Sequence, residues 1–175
     1  MNIQMRPHPL ERTIAMTRLI AACAFILTWG IPLPGPASAG NNLVHAANFK
    51  ADARIAVQRK APVLVLFSSP TCHYCEQVKQ IYLLPMQKDP AYRNRVIIRE
   101  VTVGSNAPIT DFDGSATTEG AFAVFNKVSI VPTVKVFDTR GHETGEPIVG
   151  LLIADFYFGY LEAAIDEGTR KIRGS

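Results

Sequence analysis

Two cysteines separated by two residues, Cys72 and Cys75, follow closely on the apolar run APVLVLF at 61–67, and no other stretch restricts the fold as tightly. Val63 to Phe67 are apolar without alternation, which describes a strand buried on both faces of a sheet. Beyond the cysteines, CEQVKQIYLLPMQ changes to helical spacing, with Val78, Ile81, Tyr82 and Met86 on one stripe and Pro85 expected to kink or end the helix. A buried strand that turns directly into a helix puts Cys72 in the helix's first turn. There, unpaired N–H groups and the positive end of the helix dipole favour a thiolate. Cys75, one turn on and more covered, keeps its proton until Cys72 is engaged. That asymmetry suits thiol–disulfide exchange, in which Cys72 forms a mixed disulfide and Cys75 resolves it.

Two other uses of the pair are weaker. A disulfide across two intervening residues closes a very short loop and constrains the unfolded chain little. Zinc asks for four ligands, and outside the first 39 residues the remaining candidates are His45, His73 and His142 at no recognisable spacing. A resident metal is therefore not expected. Cys72, His73 and Cys75 could still hold copper(I), which accepts fewer ligands, and a copper-binding or redox-sensing module stays as the non-enzymatic alternative.

Residues 1–39 read as a secretory signal peptide. Arg6, Arg12 and Arg18 form a positive segment, Leu19 to Trp29 is apolar, and Ala37-Ser38-Ala39 precedes Gly40 as a cleavage pattern. Eleven apolar residues are too few for a membrane span, which needs roughly 20. Cleavage after Ala39 would leave one domain at 40–175 and place it in the periplasm. The formal charge of +3 owes three Arg and one Glu to the leader, so the remainder carries 15 basic and 14 acidic side chains. Such near-neutrality gives no electrostatic reason to expect nucleic acid as a partner.

The chain then alternates helical and strand patterns. Val44, Ala47, Ala51, Ile55 and Ala56 suggest a first helix ending near Lys60, and RVIIREVTV at 95–103 a second strand. Residues 104–117 read as a loop and 118–126 as a short helix. VPTVKVFD opens a third strand at Pro132, Asp138 to Gly141 is turn chemistry leading to a partner strand in ETGEPIVG, and Ile153 to Lys171 closes as an amphipathic helix. Helix-separated strands imply parallel pairing and the last hairpin adds antiparallel strands. The fold class is α/β, a mixed central sheet flanked by helices on both faces.

VLVLFSSPTCHYC and VSIVPTVKVFD, in this order, resemble the two signatures of the thioredoxin superfamily, and the likeness extends over nearly all of 40–175. TDFDG at 110–114 with the helix and proline strand after it resembles the SoxW group of periplasmic thioredoxins from sulfur-oxidation systems. The resemblance implies a thioredoxin-like fold with Pro132 in the cis form facing the sulfurs, and a redox-active Cys72–Cys75 disulfide with no other cofactor. Val131 would pair with an extended substrate segment, and Tyr74 and His73 would belong to the contact surface. His73 would either favour the Cys72 thiolate or be an exposed tip residue. The family's buried Asp six residues before the first Cys is here Leu66, and its usual Trp is Thr71. Glu100 on the neighbouring strand would supply the missing proton acceptor, unless it merely points to solvent. Phe112 and Asp113 are a recognition feature or a turn anchor. The implied partners are protein thiols and disulfides, and a membrane thiol-electron transporter as reductant, acting on a monomer. Reduction of protein disulfides is the expected direction, with oxidation by the same residues as the alternative.

Overall fold

The computed structural model describes residues 40–151 and 153–174; the leader expected over 1–39 lies outside the described residues. In chain order the elements are helix α1 (Phe49–Arg59), strand β1 (Val63–Ser68), helix α2 (His73–Gln77) passing through a π-helical turn (Val78–Leu83) into α3 (Leu84–Lys88), and strand β2 (Ile97–Thr102). The short strands β3 (Pro108–Thr110) and β4 (Ala116–Thr118), helix α4 (Glu119–Phe125), strands β5 (Thr133–Phe137) and β6 (Ile148–Val149), and helix α5 (Ala154–Arg173) complete the chain.

The main sheet has the order β2-β1-β5-β6. β1 runs parallel to β2 and antiparallel to β5, and β5 runs antiparallel to β6. Parallel pairing was expected wherever helices intervene, and β5 departs from it. The reason is length. A seven-residue α4 spans about 10 Å, whereas six residues of strand span about 20 Å. The chain therefore re-enters the sheet at the end where β1 and β2 finish, with Thr133 opposite Phe67.

All six residues of β1 are buried, and alternate side chains go to opposite faces. Leu64 and Leu66, with Val134 and Val136, pack against Val78, Leu83 and Met86 and against Tyr157, Leu161 and Ile165 of α5. Val63, Val65 and Phe67 join Phe49, Ala53 and Ala56 of α1 and an aromatic group of Phe112, Phe122 and Phe137 on the other face.

Three local expectations are corrected. Residues 44–48 are not helical: the Asn48 side chain accepts the Ala51 N–H and starts the helix there, while His45 and Asn48 form β-bridges to Glu100 and Thr110. The helix after the cysteines does not end at Pro85. In the π-helical turn Leu84 N–H donates to Lys79 O, five residues back, so the turn holds an extra residue and the stripe is re-phased. Ile81 is consequently exposed and Leu83 fully buried, and Pro85, which has no N–H to give, sits in the first turn of α3. The loop at 104–117 contains the β3–β4 hairpin, tied down by Phe112, whose ring stacks on Phe49 with centroids 4.9 Å apart. Phe112 is thus a core anchor.

α5 crosses the sheet closely at Gly168, where an added methyl would come within 2.9 Å of Pro62 Cβ and of Val136 Cγ1. Gly168→Ala gains about 1 kcal/mol of helix propensity and loses about 1–3 kcal/mol to overpacking. The urea midpoint of the variant is expected to fall; a rise would mean that helix and sheet separate there without cost.

Candidate active site

β1 ends at Ser68, and residues 69–71 carry the chain to Cys72, the N-cap of α2. Cys72 N–H donates to Ser69 O at 3.1 Å, and Cys72 O accepts the Glu76 N–H at 3.2 Å. The Cys75 N–H donates to Cys72 Sγ at 3.1 Å. Cys72 and Cys75 form a disulfide with S–S 2.13 Å and Cα–Cα 5.2 Å. Cys72 is half-buried and Cys75 has no exposed surface. An incoming sulfur therefore reaches Cys72 first. Once the bond opens, the amide aimed at Cys72 Sγ and the helix start behind it favour that sulfur as the thiolate.

Glu100 does not point to solvent; it is 3% exposed. It is the register partner of Leu66 across the parallel β1–β2 pair, so it occupies the sheet face covered by the cysteine-bearing helix. Its Oε1 accepts from Ser68 Oγ at 2.6 Å and pairs with Lys79 Nζ at 2.8 Å. Lys79, four residues beyond Cys75, also pairs with Glu76. Burial by itself pulls the Lys79 ammonium downward, but bonds and charge from Glu100 and Glu76 outweigh it and hold its pKa above the usual lysine value. Sequence reasoning missed Lys79 and Ser68. Their signals were a charged residue one turn after Cys75 on the covered side of a helix, and a hydroxyl closing an otherwise apolar strand.

The Val131–Pro132 peptide is cis. Pro132 O accepts the Gly150 N–H at 2.7 Å, and pairing of Thr133 with Phe67 brings this turn to the sheet end from which Cys72 departs. Val131 is half-buried and Pro132 buried. Tyr74 and Ile130 are 59% and 58% exposed, which leaves apolar surface on the redox turn and beside Val131. His73 is exposed, edge-on to Tyr74 at 6.0 Å between ring centroids, with Nε2 3.1 Å from the Gln77 side-chain amide. Asp113 is in the β3–β4 turn, where its carboxylate accepts the Ser115 N–H at 2.7 Å, a bond that holds its pKa low. Among the described residues, no group of three or more His, Cys, Asp or Glu side chains is arranged to hold a metal ion.

Residues 49–165 match the family model of the thioredoxin-like domain. Among solved structures, the chain is similar to oxidised mitochondrial thioredoxin 3 of Saccharomyces cerevisiae, with 18% identity and a TM-score of 0.46 over 71% of this chain and 94% of that one. Trichomonas vaginalis thioredoxin gives 20% identity and 0.47 over 73% and 98%. Trxlp of Edwardsiella tarda gives 22% and 0.47 over 67% and 97%. No curated protein sequence matches the chain.

The buried pair carries a stability test. Lys79→Met leaves Glu100 with only Ser68 as a direct donor and is expected to cost about 3 kcal/mol in urea unfolding, whereas Lys79→Met with Glu100→Leu regains most of that loss. Because the folded-state pKa of Lys79 is raised, its contribution is complete below the unfolded lysine value and is lost only as pH rises through the higher folded one. The gap between wild type and Lys79→Met should thus stay constant across neutral pH and narrow in strong alkali. A gap that closes near neutrality would contradict the pairing.

Proposed function

We propose that this chain, which belongs to the thioredoxin-like domain family, is an exported thiol–disulfide oxidoreductase that reduces disulfides in other proteins. The observation that carries the proposal is the unequal burial of a bonded cysteine pair, with half-buried Cys72 capping the helix and fully buried Cys75 behind it. Cys72 attacks a partner disulfide as the thiolate, one partner sulfur leaves, and a mixed disulfide forms. Cys75 then gives up its proton, attacks Cys72 Sγ and releases the partner as a dithiol. Glu100, buried on the helix side of the sheet, accepts that proton.

An extended substrate segment pairs with the backbone at Val131 beside Pro132, and the exposed Tyr74 and His73 complete the contact. A membrane thiol-electron transporter returns the Cys72–Cys75 disulfide to the dithiol. The leader pattern from Arg6 to Ala39 supports export to the periplasm, and the TDFDG loop supports a place near the SoxW group of periplasmic thioredoxins.

Trapping separates the two cysteine roles. Cys75→Ser is expected to hold substrate proteins as mixed disulfides that dithiothreitol releases, and Cys72→Ser to hold few. Equal yields from the two variants, seen on non-reducing gels of a periplasmic extract, would contradict the assignment.

A further inference from the structure

We propose that His45 is the outlet through which the proton of the resolving thiol leaves buried Glu100, an inference that rests on the role just given to Glu100. The two oxygens of that carboxylate are unlike. Oε1 takes both the Ser68 hydroxyl and the Lys79 ammonium, while Oε2 faces His45 Nε2 at 3.7 Å. With two donors already on Oε1, an arriving proton settles on Oε2, the oxygen turned toward the imidazole.

The position of the ring is built into the backbone. Ala46 N–H donates to Glu100 O at 2.8 Å and Glu100 N–H to Val44 O at 3.0 Å, so residues 44–46 lie beside β2 with His45 in a parallel bridge to Glu100. On the other side of the ring, Nδ1 is 3.6 Å from Glu119 Oε1, an oxygen that also accepts the Thr102 N–H at 3.2 Å. The ring thus stands between two carboxylates, with Nε2 toward Glu100 Oε2 and Nδ1 toward Glu119 Oε1. The charged groups around the ring are therefore Glu100, Glu119, Lys79 behind Glu100, and Glu76 as the second partner of Lys79.

The His45 side chain is 57% exposed, against 3% and 5% for the two carboxylates, so the ring spans from the buried acid to solvent. The gap between Nε2 and Oε2 exceeds a direct hydrogen bond. It opens on a cleft of about 200 Å³ lined by His45, Ser68, Ser69, Lys79 and Glu100, and a bridging water needs roughly 30 Å³.

In the mixed disulfide the Cys75 S–H bond breaks and its proton passes to Glu100 Oε2. The Cys75 sulfur bonds to Cys72 Sγ, the bond from Cys72 to the partner sulfur breaks, and the partner leaves as a thiolate with the electron pair. The two cysteines are oxidised to a disulfide and the partner disulfide is the group reduced. His45 Nε2 takes the proton from Oε2 before the sulfur attacks, so that it does not return to Cys75, and the imidazolium returns one to water. The ring carries the proton out because its side chain is open to solvent while Glu100 is sealed from it. His45 acts through Glu100 and touches no reacting sulfur; it is a positioning residue for the proton.

The test is stopped-flow reaction of the reduced protein with dithiobis(nitrobenzoate), in which the second release of thionitrobenzoate reports attack by Cys75 on the Cys72 mixed disulfide. In weak buffer the wild-type rate should rise with pH. His45→Gln should lose that rise and resolve about tenfold more slowly, less than the roughly 10²-fold or greater loss expected for Glu100→Gln. His45→Ala should be equally slow and be restored by added imidazole but not by an equal concentration of sodium chloride. Unchanged resolution in both His45 variants would overturn the relay, as would slowing that keeps the pH rise and ignores imidazole. If Glu100→Gln is slow and His45→Gln is not, the relay alone fails; if Glu100→Gln resolves at the wild-type rate, the role of Glu100 fails with it.

Discussion

A strand with no solvent side needs cover on both of its faces, and β1 is such a strand, flanked by β2 and β5 and buried at all six positions. From that burial the rest of the arrangement follows. The even positions of β1 call for α5 and the helix that begins at Cys72; the odd positions call for α1 and the aromatic group around Phe122. Because the strand is central, the chain can leave it only at the end of the sheet, and the short loop after Ser68 delivers Cys72 there. The same register fixes the other parts: Phe67 meets Thr133 and so sets the Pro132 turn, and Leu66 meets Glu100.

The packing has an electrostatic consequence. A carboxylate held at 3% exposure survives only with partners, and Glu100 has a hydroxyl and an ammonium on one oxygen while the other faces the imidazole of His45. Lys79 reaches it from one turn beyond Cys75, which couples the redox helix to β2 through charge as well as through apolar contact. Leu66 stands where the thioredoxins that the motifs resemble have an Asp, and Glu100 is its register partner on the neighbouring strand. On the proposed mechanism, this is how a chain lacking the family's acid still finds a proton acceptor.

The parts legible in the sequence were those set by local pattern. A continuous apolar run, a Cys-x-x-Cys and a Val-Pro before alternating residues specify strand, helix start and turn with little help from distant contacts. What escaped was tertiary. The π-helical turn carries no simple sequence sign, and its extra residue moved Leu83 inward and Ile81 outward. Val44 and Ala47 continue the helical spacing of α1, yet the Asn48 cap and the bridges from His45 and Asn48 hold 44–48 extended. Glu100 could be placed on its strand, but its burial depends on Lys79 and Ser68 arriving from two other elements. In the sequence His45 offers itself only as a metal ligand, since nothing local reveals that a backbone bridge sets it against Glu100.

Reduction of partner proteins requires that Cys72 and Cys75 be a working dithiol that gives electrons away. The direct measurement is the midpoint potential of the pair, from the fraction oxidised in glutathione or dithiothreitol buffers, read by alkylation and intact mass. A potential near that of thioredoxin, about −270 mV, is the predicted result. A value near −120 mV would make the protein an oxidant, and a pair that stays bonded well below about −300 mV would be a structural disulfide; either would contradict the reductase reading.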